Sequence, residues 1–174
     1  MYRPLGSNLP YFLYIQAHLR SRIILDATLP YIDSNRFSPV DWRAFYPDAK
    51  EALPLNAPEP RGKPMTMTCF VDADHAGNRV TRRSHTGIII FCNRAPIIWF
   101  SKRQNTVETS SFGSEFVAAR IAVELIEGLR YKLRMFGIPI DGPTNVFCDN
   151  QSVVTNATMP ESVLKRKHNS IAYH

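Results

Sequence analysis

Three acidic residues stand where carboxylates could act together on a phosphate ester. Asp72 and Asp149 each follow a short apolar run with strand-like character, at residues 65–70 and 144–148, and Glu115 lies near the start of a long helical pattern. A carboxylate at the end of a buried strand is costly unless a partner compensates its charge, and Mg²⁺ prefers such oxygen ligands. Two strand-end aspartates and a helical glutamate therefore predict a two-metal site that cleaves a phosphodiester.

Composition and charge limit the class of protein. The chain has 174 residues, of which 44% are hydrophobic and 21% charged, as in a globular domain with or without an appendage. Its formal net charge of +6 suits a polyanionic partner. No apolar run reaches the roughly 18 to 20 residues of a membrane span, and the N-terminus does not begin a signal peptide. We therefore expect an intracellular protein with no membrane partner.

The three cysteines, Cys69, Cys92 and Cys148, all lie in apolar, strand-like runs. Their odd number and wide spacing argue against a disulfide framework and against a zinc site. We therefore predict small buried thiols in a reducing compartment, and we expect no soft-metal site.

From residue 65 onwards the hydrophobic pattern is regular and predicts sheet structure. Strands are expected over about 65–71, 86–92 and 95–100, the last two joined by the tight turn Asn93-Arg94 as an antiparallel hairpin. Trp99, in the third of these strands, is predicted to belong to the core.

The second half of this region predicts a long helix, a fourth strand and a short helix. The long helix is expected over about 112–135, with Gly137 ending it and a serine or threonine of 109–111 as its cap. The fourth strand is expected over 145–148, and a short helix opens at Asn150 or Gln151. The apolar face predicted for the long helix consists of Phe116, Ala119, Val123, Ile126 and Leu133.

Residues 1–64 differ from the rest and form a proline- and aromatic-rich arm. Prolines recur so often from Pro30 onwards that long regular elements are prevented. A flexible linker would rarely carry so many large apolar side chains. We therefore expect the arm to pack, either on the following domain or on one upstream of it.

Seven short motifs stand in order along residues 65–174. They are Val-Asp-Ala-Asp-His-Ala-Gly (71–77), Thr-Arg-Arg-Ser-His-Thr-Gly (81–87), Ile-Ile-Trp-Phe-Ser-Lys-Arg-Gln (97–104), Thr-Val-Glu-Thr-Ser (106–110), Gly-Ser-Glu-Phe-Val-Ala (113–118), Cys-Asp-Asn-Gln-Ser (148–152) and Lys-His-Asn-Ser-Ile-Ala-Tyr-His (167–174). The ordered set resembles the ribonuclease H region at the C-terminal end of copia-type retrotransposon polyproteins. The arm is similar, more loosely, to the segment that joins reverse transcriptase to ribonuclease H there.

The resemblance implies an α/β fold with a ribonuclease H-like mixed sheet, in which three antiparallel strands are followed by a helix, a parallel strand and further helices. It implies an endoribonuclease that cleaves the RNA strand of RNA–DNA hybrids with two Mg²⁺ ions, or Mn²⁺ in their place. By position, the catalytic and metal-ligating acids would be Asp72, Glu115 and Asp149. The implied partners are the hybrid and the reverse transcriptase domain of the same polyprotein. The implied location is the cytoplasm, within a virus-like particle, or the nucleus.

The fourth acid of the family belongs after Lys167-His168, where this chain has Asn169 and Ser170 and no Asp. Two interpretations remain open. Three acids suffice, with Asn169, Ser170 or His174 assisting through water, or the chain is a catalytically impaired remnant that only binds nucleic acid or packs on reverse transcriptase. Because the chain stops at His174 inside an expected helix, we expect the domain over 65–174 to be C-terminally truncated.

Basic residues near these motifs are candidates for binding the nucleic acid. The alternative for each of them is an ordinary solvated surface charge. The candidates are Arg82, Arg83, Lys102, Arg103, Lys167 and His168. Asp74 is interpreted as a turn residue with an auxiliary role at most, because it shares the face of Asp72 only if the first strand continues through it.

Overall fold

In the computed structural model of the chain, the described residues are 13, 16–33, 47–48, 50–51 and 53–158. Four strands form one mixed sheet in the order β3-β2-β1-β4. The strands are β1 (Met67–Asp74), β2 (His85–Cys92), β3 (Ala95–Arg103) and β4 (Asn145–Cys148). The first three are antiparallel neighbours, and β4 runs parallel to β1. The predicted α/β class with a mixed sheet is confirmed, and the architecture is compatible with a ribonuclease H-like fold.

Two strands extend further than their hydrophobic patterns predicted. β1 ends at Asp74 rather than near residue 71, because its pairing with β2 continues through Asp72 opposite Gly87 and Asp74 opposite His85. β3 likewise continues to Arg103, which pairs with His85. Backbone pairing does not need apolar side chains, so polar residues at the rim of the sheet remain in the strands.

Two helices follow the hairpin and the fourth strand. The first, α1 (Ser111–Met135), begins at the N-cap Ser110, whose side chain accepts a hydrogen bond from the backbone N–H of Gly113 over 3.2 Å. It ends at Met135, and Gly137 two residues later has a φ of +71° that lets Ile138 donate back to the Leu133 carbonyl oxygen over 3.0 Å. This is the Schellman arrangement that favours glycine. The second helix, α2 (Gln151–Thr158), is short.

Helix α1 covers one face of the sheet and forms the core with it. Residues Cys69 and Val71 of β1 pack there against the small residues Ala118 and Ala122 of α1, both fully buried. The predicted helix face was wrong in part, because Val123 is 47% exposed. The buried face of this helix runs through alanines. The prediction relied on large apolar side chains and therefore gave alanines little weight.

The opposite face of the sheet carries exposed apolar side chains among the described residues. Trp99, predicted to be core, is 64% exposed. It pairs with Ile89, which pairs with Phe70, and Phe70 stacks on Phe147 of β4 with ring centroids 5.1 Å apart. One apolar row therefore crosses all four strands on this face.

Described parts of the proline-rich arm contact the following domain. Asp26 forms an ion pair with Arg94 at 3.2 Å, next to a hydrogen bond of 2.9 Å from the Asn93 side chain to the Ala27 carbonyl oxygen. Further along, Glu51 pairs with Arg130 of α1 at 2.8 Å. These described residues of the arm therefore contact the region from residue 65 onwards. None of the helices in the described ranges is long and apolar enough to span a membrane.

Candidate functional site

Parallel pairing places Asp72 and Asp149 at the same rim of the sheet. Val71 of β1 pairs with Cys148, the last residue of β4, so the residue after each of them lies at the same level. The stacked rings of Phe70 and Phe147, one step earlier on each strand, are consistent with this register. A slip of one residue would point one of the two acids to the other face, so the register is what brings them together.

Glu115 approaches this rim from the first turns of α1. It is only 6% exposed, which is rare for a carboxylate without a partner. The backbone N–H of Ala73 donates to its carboxylate, and the carboxyl group of Asp72 is close enough to share a hydrogen bond with it. One oxygen, Oε2, is buried and has no hydrogen-bond partner among the residues described. All three acids predicted from the sequence are thus brought together.

The electrostatics of Glu115 reflect this crowding. Burial raises the pKa of its carboxyl group from 4.5 to about 7, and the nearby charges of Asp72 and Asp149 act in the same direction. The hydrogen bond from Ala73 opposes the change only in part. A buried carboxylate beside two other carboxylates carries uncompensated negative charge. A cation bound at this place would compensate that charge.

Cys148 belongs to the same cluster, which the sequence analysis missed. Its Sγ, a carboxylate oxygen of Glu115 and one of Asp149 all lie within 4.8 Å of one another. Burial raises the pKa of the Cys148 thiol, a backbone N–H at Asn150 lowers it, and the surrounding carboxylates raise it further. The sequence analysis expected no soft-metal site and did not place a cysteine beside the acids, whereas the structure brings the Cys148 thiol next to Glu115 and Asp149. The position of Cys148 directly before Asp149, at the end of a predicted strand, was the sequence signal that could have identified it.

Asp74 lies apart from this cluster. Because β1 continues through residue 74, Asp74 shares the exposed face of Asp72. The sequence analysis named this continuation as the condition for a shared face. Its carboxylate, however, folds over Gly77, where a Cβ atom would overlap it. Glycine at 77 thus gives this side chain its room. The metal-ligand group contains no atom of Asp74 or of Asp72, but of these two only Asp72 acts on the charge of Glu115.

A buried polar network supports the end of α1 that carries Glu115. Gln104, 3% exposed, donates from Nε2 to Thr86 Oγ1 over 3.0 Å and to the Ser114 carbonyl oxygen over 2.8 Å. Ser114 Oγ lies 3.3 Å from His75 Nδ1 in the loop after β1. Hydrogen bonds between buried polar groups fix the relative position of the elements they join, although the Oε1 atom of Gln104 is buried and accepts no hydrogen bond within the described chain. The sequence analysis assigned no role to Thr86, Gln104 or Ser114, whose side chains are polar but not ionisable.

The basic candidates occupy two places. Arg82 and Arg83 lie in the loop between β1 and β2, where Arg82 has a φ of +55°. Lys102 and Arg103 are exposed at the end of β3 and line a cavity of about 690 Å³ beside α1. A second cavity, of about 820 Å³, opens over the exposed sheet face.

This second cavity is lined by Asp72, Asp149 and Cys148 together with apolar residues that include Trp99. The acids thus lie at the edge of an open, partly apolar surface cavity. The remaining candidates lie outside the described residues, and they are Lys167, His168, Asn169, Ser170 and His174.

Comparison with known proteins shows that the chain is similar in sequence to transposon polyproteins. No protein family model matches it. It is 28% identical over 114 residues to the retrovirus-related Pol polyprotein from transposon RE1 of Arabidopsis thaliana, which is 66% of this chain and 8% of that polyprotein. It is 30% identical over 105 residues, 60% of this chain, to the corresponding polyprotein from transposon TNT 1-94 of Nicotiana tabacum. The chain is thus similar to one region of such polyproteins, and the matched region spans about 8% of their length.

Proposed function

We propose that this chain is the ribonuclease H region of a copia-type retrotransposon polyprotein and cleaves the RNA strand of RNA–DNA hybrids. The observation that carries the proposal is the convergence of Asp72, Glu115 and Asp149. These residues come from two strand ends and one helix, yet Glu115 experiences the charge of both aspartates. The similarity to Pol polyproteins supports the same assignment, because copying RNA into DNA produces such hybrids.

The cluster fits hard divalent cations. It offers several carboxylate oxygens at a partly open rim, and Glu115 Oε2 is a buried acceptor that no donor in the described chain reaches. Asp72, Glu115 and Asp149 would hold two Mg²⁺ ions, with Mn²⁺ as a substitute. When bound, the ions supply a water of lowered pKa and stabilise charge on the leaving oxygen.

The protein's own groups position this centre and the substrate. The network of Gln104 and Ser114 holds the first turn of α1, so that Glu115 keeps its place. Lys102 and Arg103 lie level with Ala73 and Asp74, two strands away across the sheet, which is roughly 10 Å at ordinary strand spacing. In the proposal these cations contact phosphates of the hybrid, which orients the RNA strand over the acids.

The test uses the full chain, a hybrid with labelled RNA, and Mg²⁺. We expect internal cleavage of the RNA and no cleavage of the DNA strand, and we expect a chelator to stop the reaction. Glu115→Gln should lower the rate by roughly 100-fold or more, since changes even outside a metal's ligand shell cost about 10- to 100-fold. The matched control is Glu124→Gln on the same helix, where Glu124 is exposed and pairs with Arg120 at the surface.

The same experiment decides the alternative of an impaired remnant. Salt-dependent binding of the hybrid without any cleavage in Mg²⁺ or Mn²⁺ would reject the nuclease and favour a nucleic-acid-binding module. If neither cleavage nor binding occurs at low salt, what is left is a domain that packs on reverse transcriptase.

A further inference from the structure

The acidic cluster contains a ligand that a site for hard ions does not need. Glu115, Cys148 and Asp149 each present one ligand atom, and these atoms all lie within 4.8 Å of one another. Among the described residues this is the single group of three or more potential metal ligands. Zn²⁺ binds both thiolate sulfur and carboxylate oxygen, and three protein ligands leave a fourth tetrahedral position open for water.

A second observation points to a cation at this place. Glu115 is only 6% exposed, its carboxylate forms one side of the group, and its Oε2 atom lacks any donor in the described part of the chain. Leaving a buried carboxylate oxygen unpaired is costly, so native proteins pair such atoms with donors or cations. A cation at this place would give this oxygen a partner.

Strand register selects Cys148 from the three cysteines. Cys148 pairs with Val71, so its side chain lies on the helix-facing side of the sheet, the side from which Glu115 approaches. Cys69 is fully buried and Cys92 is 6% exposed, and both are members of the apolar core cluster. Only the thiol of Cys148 thus joins carboxylates within the described chain.

We propose that Glu115, Cys148 and Asp149 form a binding site for one thiophilic divalent cation, Zn²⁺ or Cd²⁺, and that this ion excludes Mg²⁺ from the two carboxylates. On binding, a metal–sulfur bond replaces the S–H bond, and the thiol proton passes to water. Thiolate favours such ions, whereas carboxylates alone suit Mg²⁺. Binding of the ion does not depend on the proposed nuclease function, whereas the inhibition rests on that function.

The binding is tested on the metal-free full chain by titration with Cd²⁺. The measurement is the ultraviolet charge-transfer absorbance of a cadmium–thiolate bond, which carboxylates do not produce. We expect the band to saturate at one ion per chain and to be displaced by Zn²⁺. Cys148→Ala should abolish the band, while the matched variant Cys92→Ala should retain it. Glu115→Gln and Asp149→Asn should each weaken Cd²⁺ binding by about tenfold or more.

The wild-type titration by itself can overturn the proposal. No saturable band at one equivalent of Cd²⁺ would reject the site, and so would an undiminished band in Cys148→Ala that remains folded by circular dichroism. If Cys148→Ala does not fold, Cys148→Ser is read in the same way. The Glu115→Gln titration, in which every thiol is intact, supplies a further independent reading.

Inhibition is measured separately, as the Zn²⁺ concentration that halves hybrid cleavage in Mg²⁺. We expect that concentration to rise at least about tenfold in Cys148→Ala, each protein being compared with its own rate without Zn²⁺. Equal sensitivity of both proteins would overturn the inhibitory role. A chain that binds Cd²⁺ through Cys148 but never cleaves the hybrid would reject the nuclease function and leave the metal site standing.

Discussion

Gln104 donates a hydrogen bond from its Nε2 atom to the backbone carbonyl oxygen of Ser114 over 2.8 Å. Gln104 follows the last residue of β3, and Ser114 immediately precedes Glu115. The same Nε2 group also donates to Thr86 Oγ1 in β2. Two strands of the sheet and the first turn of α1 are therefore joined through one buried amide, next to the acid that the proposed reaction needs.

The first prediction concerns this amide. Gln104→Leu removes the donor but keeps much of the volume, and it leaves the Thr86 hydroxyl and Ser114 carbonyl oxygen buried without this partner. We expect the free energy of unfolding to fall by about 1 to 3 kcal/mol, measured by urea denaturation. Gln16→Leu is the control, because Gln16 is exposed in the arm and its replacement should change stability by less than about 0.5 kcal/mol. Equal effects of the two substitutions would contradict the assigned role of Gln104.

The second prediction concerns the pH dependence of stability in the absence of divalent ions. Folding raises the Glu115 pKa from 4.5 to about 7, so between these values the folded state holds a proton that the unfolded state has lost. The free energy of unfolding therefore decreases as pH rises through this window, and the loss is complete above the folded pKa. Glu115→Gln carries no such penalty and should exceed the wild type by about 1 to 3 kcal/mol near pH 8.

Near pH 4 the same two proteins should differ little, because the Glu115 carboxyl group is largely protonated in both the folded and unfolded wild type. Chemical denaturation in a chelator at several pH values gives the comparison. Glu124→Gln, on the exposed side of α1, should follow the wild-type profile. A wild-type chain that gains stability from Glu115 as pH rises would show that the carboxylate is paired with a cation of the protein instead.

The third prediction uses two glycines of the same region. Gly128 lies inside α1, where a Cβ atom would meet nothing within 4 Å, so Gly128→Ala should stabilise the protein by about 0.5 to 1 kcal/mol. Gly137 has a φ of +71°, and a Cβ there would meet the Glu59 carbonyl oxygen at 3.2 Å. Gly137→Ala should therefore destabilise it by about 1 to 2 kcal/mol. Thermal melting of both variants checks the opposite signs. Stabilisation by Gly137→Ala would reject the assigned end of α1, and destabilisation by Gly128→Ala would reject the open space assigned beside Gly128.

The sequence was most informative where local rules decide the structure. The serine and threonine residues at 109–111, of which Ser110 is the N-cap, and Gly137 marked the ends of α1, because capping and a positive φ have strong residue preferences. Asn93 and Arg94 marked the hairpin turn, with Asn93 at a φ of +54°. Those signals come from a few neighbouring residues and need no knowledge of tertiary packing.

The sequence was least informative where tertiary contacts decide. Trp99 is exposed because, among the described residues, α1 covers only the other face of the sheet, and no local pattern reveals which face is covered. Cys148 joins Glu115 and Asp149 only through the pairing of β4 with β1. The separation of Asp74 from Asp72 likewise depends on how the Asp74 side chain folds over Gly77.

The most direct test compares two aspartates that lie two residues apart on one face of β1. Cleavage of an RNA–DNA hybrid in Mg²⁺ is measured for the wild type, Asp72→Asn and Asp74→Asn at equal concentration of folded protein. We predict that Asp72→Asn lowers the rate by roughly 100-fold or more, because it removes a proposed metal ligand, while Asp74→Asn stays close to the wild type. If Asp72→Asn cleaves the hybrid at the wild-type rate, that result would contradict the proposed site.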